Sequence, residues 1–374
     1  MTTRPNPRVS IVTLHRVHNF GSALQTYATQ ELLRANGLDA EIVDYRRPSE
    51  HVGFRAQLKH NYARWNRNVV VRSAFWALRS RDLRRQEENF DDFISRRVEL
   101  STRSYLSAEE LEADPPTADF YCVGSDQVWN NDYHVAGSER PFYLTFAPEG
   151  APRFSLASSF GKAKLSEKDA LNTRSALSSF RAISVREGSG VAILKELGLA
   201  STHVVDPTLG HRASFWDSIA VEPSLQTDYI LHYQLHRGHD LSAVVKEIQG
   251  RTGLPVVSVT GYWNPRKGLA RSLHDTSVEE FVGLLRNAAH VVTDSFHGTA
   301  FSLNTGRAFT AVMPPKYSER ISSLLELTGT SSRGHRLGID ESLDLEEIDW
   351  MKVEQRLDMQ RAVISEFIRS SVES

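Results

Sequence analysis

Runs of β-branched and aliphatic residues alternate along the chain with stretches whose apolar positions recur every three to four residues. RVSIVTL (8–14) has the pattern of a buried strand. In FGSALQTYATQELLRANG, which follows, Ala23, Leu24, Tyr27, Ala28, Leu32 and Leu33 fall at helical spacing and Gly37 ends the helix. AEIVDY (40–45) is a second strand, and strand, helix and strand in so short a span imply a parallel sheet. Residues 50–100 break the rhythm and read as helical. Strands then open ADFYCVGSDQVW (118–129) and RFSLASSFG (153–161). A helix is predicted over 165–180, with Ser166 and Asp169 at capping-box spacing. RAISVREGSGVAILKELG (181–198) predicts a short strand and a helix. Further strands are expected at 202–208, 228–235, 254–261, 290–294 and 308–314, with helices over 239–251, 277–288 and 297–305 and a helical C-terminal stretch. The pattern predicts two α/β halves meeting near residues 180–210. Ligands of such sheets sit at the carboxyl ends of the strands, here across a cleft.

At 374 residues the chain exceeds one ordinary core. A formal net charge of −2 speaks against a nucleic-acid binder. The lone Cys122 excludes an internal disulfide and a cysteine-rich zinc site. The start MTTRPNPRVS has no signal-peptide core, and no stretch approaches a membrane span, so the expectation is a cytoplasmic protein.

Candidate chemistry gathers in five loops at strand ends: HRVHNFGS (15–22), GSDQVWNN (124–131), SSFGK (158–162), SVREGSG (184–190) and TDSFHG (293–298). In the last, Ser295 is placed to cap a helix whose free N–H groups attract anions, and Gly298 would let a ligand approach the backbone. His297 then reads either as a proton carrier beside a bound anion or as a histidine packed at a strand–helix junction. Arg186 offers a planar fork for carboxylate or phosphate, or else makes a structural salt bridge. Lys316 and Arg320, in PPKYSERI (314–321), add two positive charges at the start of another helix. No G-x-G-x-x-G, Walker loop or G-x-S-x-G elbow is present. His232, His236 and His239 have no acidic or cysteine partner at ligand spacing, so no metal is expected. Asp206 and Pro207, in VVDPT, are assigned to a turn.

Taken in order, NFGSALQTYA, YCVGSDQVWN, ASSFG, ISVRE, VVDPT and TDSFHGTAFSL resemble the polysaccharide pyruvyl transferase family over nearly the whole chain. The resemblance implies an α/β fold of two Rossmann-like domains facing a cleft, like that of GT-B glycosyltransferases. Residues 1–182 would form the acceptor-side domain, with a helical basic insert at about 50–100, and residues 183–340 the donor-side domain, with 341–374 a helical segment. It implies transfer of pyruvyl from phosphoenolpyruvate to two hydroxyls of a sugar, giving a cyclic ketal and phosphate, with no cofactor beyond the donor. By motif the donor site takes Arg186 and His297, with Lys316 as a further basic residue. Some members carry an arginine two residues before the histidine. Ser295 stands there in this chain, and Arg320 is the candidate replacement. His297 would protonate the donor's methylene. Asp126 reads either as a base for the sugar hydroxyls or as a loop-capping aspartate. The acceptor is expected against Asn19, Gly21, Gln127 and Trp129, with Trp263 in GYWNP as a second aromatic floor.

Residues 54–97 hold ten arginines and one lysine against five acids, and Trp65, Val69, Phe75 and Trp76 fall along one helical face. Such a stretch reads either as a contact with an anionic membrane or lipid-pyrophosphate carrier at its inner face, or as a packed helical pair with a solvated basic side. The rival functions are a GT-B glycosyltransferase that uses a nucleotide-sugar, and a non-catalytic relative that binds saccharide or phosphate.

Overall fold

The structure, a computed structural model, describes residues 6–48, 84–225, 227–236, 238–260, 271–273, 275–315 and 318–373. Lys316, Trp263 and the part of the basic insert from 49 to 83, including Trp65, Val69, Phe75 and Trp76, lie outside the described residues.

The first strand, β1 (Arg8–Val12), runs down the middle of a five-stranded parallel sheet. After it come helix α1 (Phe20–Ala35), β2 (Asp39–Tyr45), a helix α2 over 84–97, β3 (Leu100–Tyr105), α3 (Ala108–Ala113), β4 (Phe120–Val123) and β5 (Arg153–Ser155). The sheet order is β3-β2-β1-β4-β5. Central β1 pairs Ile11 with Ile42 on one side and with Cys122 on the other. Its residues past Arg8 are all buried, as expected of a strand covered on both faces. Strand β3 was not legible in the sequence, because LSTRSY lies at an edge, mostly exposed, and carries no apolar run.

Helix α4 (Glu167–Leu177) starts at Ser166, whose hydroxyl accepts from the Asp169 amide. Then come β6 (Ser184–Val185), α5 (Gly188–Glu196) and β7 (Thr202–His203). Single bridges from Phe154 to Ala182 and from Ser158 to Val185 set β6 beside β5. The first sheet's layer therefore carries on to His203, beyond the boundary expected between residues 182 and 183. The bridges along Phe154, Ser158 and Val185, with β7 paired to β6, are what hold residues 183–203 to this layer.

Short helices α6 (Pro207–Gly210) and α7 (Ala213–Asp217) lead into β8 (Ile230–Gln234), α8 (Ser242–Thr252), β9 (Val256–Thr260), β10 (Arg271–Leu273), α9 (Val278–Asn287), β11 (His290–Thr293), α10 (Phe296–Asn304), β12 (Ala308–Val312), α11 (Glu319–Thr328), β13 (Gly334–His335) and α12 (Trp350–Val372). The second sheet is parallel, in the order β10-β9-β8-β11-β12-β13. The predicted long strand at 202–208 is only two residues, because Asp206 turns the chain to cap α6.

One hydrophobic core runs through both halves, from Val9, Phe20 and Leu24 to Phe281, Val291 and Phe301. Phe20, at the start of α1, stacks on Phe281 of α9 with centroids 4.2 Å apart. Helix α12 returns across the molecule, and Arg361 donates to the Leu209 carbonyl at 3.1 Å. This continuous packing narrows the cleft to an internal cavity. No helix among the described residues is long and apolar enough to cross a membrane.

Candidate active site

Two helix starts converge between the sheets. Asn19 caps α1, its side-chain oxygen accepting from the amides of Gly21 (2.8 Å) and Ser22 (3.4 Å). Ser295 caps α10, its hydroxyl accepting from the Gly298 amide at 3.3 Å. The positive ends of both helices face one cavity of 340 Å³. From the first half Leu14, Val17, Asn19, Ser22, Arg47, Asp126, Gln127 and Tyr133 line it. From the second half come Leu235, His236, Ser295, Phe296, His297 and Arg320. A larger hollow of 1,040 Å³ runs along 310–346, but it contains none of the strand-end loops. Its buried Arg333 is spent on the carbonyls of Asp344 and Glu346. The smaller cavity is therefore the candidate site.

His297 sits on the first turn of α10 and is 6% exposed. Its ring lies flat against α1: a Cβ built on Gly21 would fall 2.0 Å from His297 Nδ1. Only glycine lets the two halves approach so closely here. Gly21 thus touches the imidazole and not, as expected, the acceptor. Nε2 of His297 lies 3.9 Å from Asp206 Oδ2 and has no hydrogen-bond partner. Asp206 is already saturated. Its Oδ2 accepts from Arg186 Nη1 (2.6 Å) and Ser125 Oγ (2.7 Å), and its Oδ1 from the Thr208 amide (3.0 Å) and hydroxyl (2.7 Å). Four hydrogen bonds fill a carboxylate's acceptor sites. Burial, aided by Arg186 and Arg320, outweighs the pull of Asp206 and Asp126 and lowers His297 to about 4.

Arg186 departs from its expected role. Its side chain is wholly buried and does not line the cavity. The guanidinium bridges Asp206 and, at 3.2 Å, Asp126 Oδ1, and lies 4.6 Å over the Phe296 ring. Its charge is committed to these two carboxylates, with Glu187 Oε2 a further 3.9 Å contact. Arg320 does face the cavity: it is buried, stands 5.8 Å over the same ring, and its Nε has no hydrogen-bond partner. Arg47, at the end of β2, lines the cavity from the other half. Nothing in the sequence marks it, because it follows β2 outside the five polar strand-end loops.

Asp126 lines the cavity from a backbone with φ of +77°, a strained conformation for a residue other than glycine. It accepts from Ser22 Oγ at 2.6 Å and from the Gln127 amide at 2.8 Å. Burial would raise its carboxyl, but Arg186, His297, Ser22 and Arg320 hold it at about 2. It is a firmly ionised and feeble base. Asp206, read as a turn residue, does cap α6, and it is also the hub that ties Arg186 to the histidine's surroundings.

Other expectations meet corrections. Trp129 is 1% exposed and packs between Tyr143 and Phe160, with its indole N–H on the Phe142 carbonyl at 2.9 Å, so no sugar can reach it. Gly298 gives its amide to Ser295, and a Cβ there would strike Thr293 Oγ1 at 2.5 Å. It fits helix to strand and does not open the backbone to a ligand. Gln127 and Asn19 remain on the wall, and Gln127 Oε1 accepts from Asn130 at 2.9 Å. His236 and His239 do meet an acid, Asp294, at 3.2 and 3.4 Å, supplied by the neighbouring strand end. Among the described residues no group could hold a metal ion.

The sequence profile of the polysaccharide pyruvyl transferase family matches residues 19–314. No curated protein sequence matches the chain. Among solved structures, a UDP-N-acetylglucosamine 2-epimerase is similar over 99% of this chain and 95% of its own, at 10% identity and a TM-score of 0.52. A UDP-GlcNAc 2-epimerase from Methanocaldococcus jannaschii is similar over 95% and 92%, at 11% identity and 0.48. A UDP-glucosyltransferase from Polygonum tinctorium is similar over 99% and 95%, at 11% identity and 0.48. The first of these speaks for the fold alone, the GT-B-like pair of Rossmann-like domains facing a cleft.

Proposed function

This chain belongs to the polysaccharide pyruvyl transferase family, and from that premise we propose that it moves pyruvyl from phosphoenolpyruvate to two hydroxyls of a sugar. The observation that carries the reading is His297: a buried imidazole with an unpartnered Nε2, facing a cavity at a helix start, between Asp126 and Arg320.

In this reading the donor's phosphate and carboxylate take the helix starts of α1 and α10, Arg320 and Arg47, with Lys316 as a further candidate. Its negative charges raise His297, which then gives its proton to the methylene carbon. The methylene becomes a methyl group and the neighbouring carbon an oxocarbenium-like centre. One sugar hydroxyl adds there and loses its proton. The C–O bond to phosphate breaks, and a second hydroxyl closes the ketal and loses its own proton. Of the two protons released, one restores His297 and one leaves with phosphate. His297, deprotonated after the first step, is the better base of the pair, since Asp126 is held so acidic. The acceptor is a saccharide that is free, polymeric or carried by a lipid at the inner face of the membrane. Binding of anionic vesicles across a salt series tests the lipid-carried case.

The test of the reaction is phosphate release from phosphoenolpyruvate with a panel of pyranosides, followed by mass analysis of the product. A ketal product is expected, and His297→Ala should lower its rate by about 10²–10⁴-fold, the usual worth of a general acid. Release with no saccharide, or an alanine variant near the full rate, overturns the reading. Consumption of a nucleotide-sugar without phosphoenolpyruvate would replace it with glycosyl transfer.

A further inference from the structure

Trp129 is buried and gives the cavity no aromatic floor, but among the described residues the chain provides one four positions on. We propose that Tyr133 is the acceptor platform: a pyranose ring rests on it at the cavity mouth and directs its two hydroxyls inward. This rests on the pyruvyltransferase reading for the class of ligand.

Tyr133 lines the cavity and yet is 44% exposed, so its ring borders both the interior and solvent. Among the described residues the other aromatic of the lining, Phe296, is buried and lies under the guanidiniums of Arg186 and Arg320. Tyr133 is also held still. It ends a 3₁₀ turn (Asn131–Tyr133) whose cap, Asn130, accepts from the Asp132 amide through its side chain and from the Tyr133 amide, at 3.0 Å, through its carbonyl. Asn131 donates to Asp169 at 2.8 Å, and Lys162 pairs with Asp132 at 2.7 Å. Arg47 donates to the Tyr133 carbonyl at 3.4 Å. With the turn that carries it held in place and only two side-chain torsions of its own, a tyrosine loses little freedom when a ligand covers it.

The neighbouring lining suits the polar rim of a sugar. Asn19, Asp126 and Gln127 offer hydrogen-bonding groups from the same half, and Leu235, also exposed, adds an apolar edge from the other. Tyr133 and Arg320 line the same cavity, so the platform and the proposed donor cation belong to one space. The cavity is at the small end of ligand pockets, which run from about 300 to 1,000 Å³. It therefore takes the donor and one sugar ring, and leaves the remainder of a longer glycan outside, past Tyr133.

The experiment compares the full chain with Tyr133→Ala and Tyr133→Phe, using phosphoenolpyruvate and a panel of methyl pyranosides and disaccharides. Tyr133→Ala is expected to raise the acceptor KM about tenfold, the scale of one lost aromatic contact, with the donor KM unchanged. Tyr133→Phe should stay within about twofold of the parent, because the ring does the stacking. An unchanged acceptor KM in the alanine variant, or a parallel rise in the donor KM, overturns the platform while leaving the pyruvyltransferase reading intact. If the parent chain turns over no acceptor, that reading fails, and the platform is judged by direct binding of the same glycans on a printed array. Binding lost in Tyr133→Ala and kept in Tyr133→Phe then supports it. Binding that ignores the substitution, or no binding at all, overturns it.

Discussion

A histidine near 4 is a poor acid at neutral pH: at pH 7 about one ring in a thousand carries the proton. The charged groups facing His297 are Asp206, Asp126, Arg186 and Arg320. The two acids pull the ring upward, but burial and the two arginines outweigh them. Phosphoenolpyruvate can tip that balance. Moving the ring from about 4 to about 7 requires roughly 4 kcal/mol. One unit charge at about 4 Å supplies about 4 kcal/mol at the effective dielectric of protein sites. A single phosphate or carboxylate charge beside Nε2 is thus sufficient. The prediction is that donor binding at pH 7 takes up about half to one proton per site. Titration calorimetry in two buffers of different ionisation enthalpy reads this uptake directly. His297→Gln, which cannot be charged, should bind without it and provides the baseline for the donor's own titration. The sign follows from linkage. The bound ring titrates above the free one, so affinity falls as pH rises from about 4 to the raised value and is flat beyond it. Binding with no difference between parent and His297→Gln would show that the donor does not charge this ring.

Three more outcomes are expected. His232, His290 and His297 are each held near 4 by burial, whereas the unfolded chain takes up protons near 6.5, so stability should fall as pH drops from about 6.5 to 4, by up to about 3 kcal/mol per ring; urea midpoints at pH 7 and 5 check this, and a His297→Gln chain should lose less. Arg186→Ala leaves Asp206 and Asp126 buried and unpaired and should cost about 3–5 kcal/mol in a denaturant titration; a fully stable variant with only a raised donor KM would return Arg186 to donor binding. Gly21→Ala drives a methyl into the His297 ring, and a displacement on the order of 1 Å should cost about 10²-fold in rate; an undiminished rate would mean the ring is not working where the structure places it.

Much of the scaffold was readable from periodicity, because parallel strands buried on both faces write continuous apolar runs. β1, β8, β11 and β12 all do so. β3 and β13 lie at sheet edges and left no such trace. The strand-end loops pointed to the cavity for the same reason, since topology alone brings such loops together. Side-chain commitments were not readable. Arg186 looks like an anion fork until Asp206, twenty residues on, takes it. Trp129 has the composition of a sugar platform, but its indole finds a carbonyl in the turn at Phe142 and turns inward. Tyr133 carried no pattern signal, because an exposed aromatic on a short turn has no periodicity to betray it.

The contact between Gly21 and His297 has a consequence for how such proteins can be recombined. The histidine is encoded late in the gene and the seat it rests on near the beginning. A chimaera that takes its second half from a relative inherits a ring shaped for another seat. Exchange of second halves should succeed only between chains that both keep a residue without a side chain at that early position, so this pair is the first place to look when a hybrid folds but does no work.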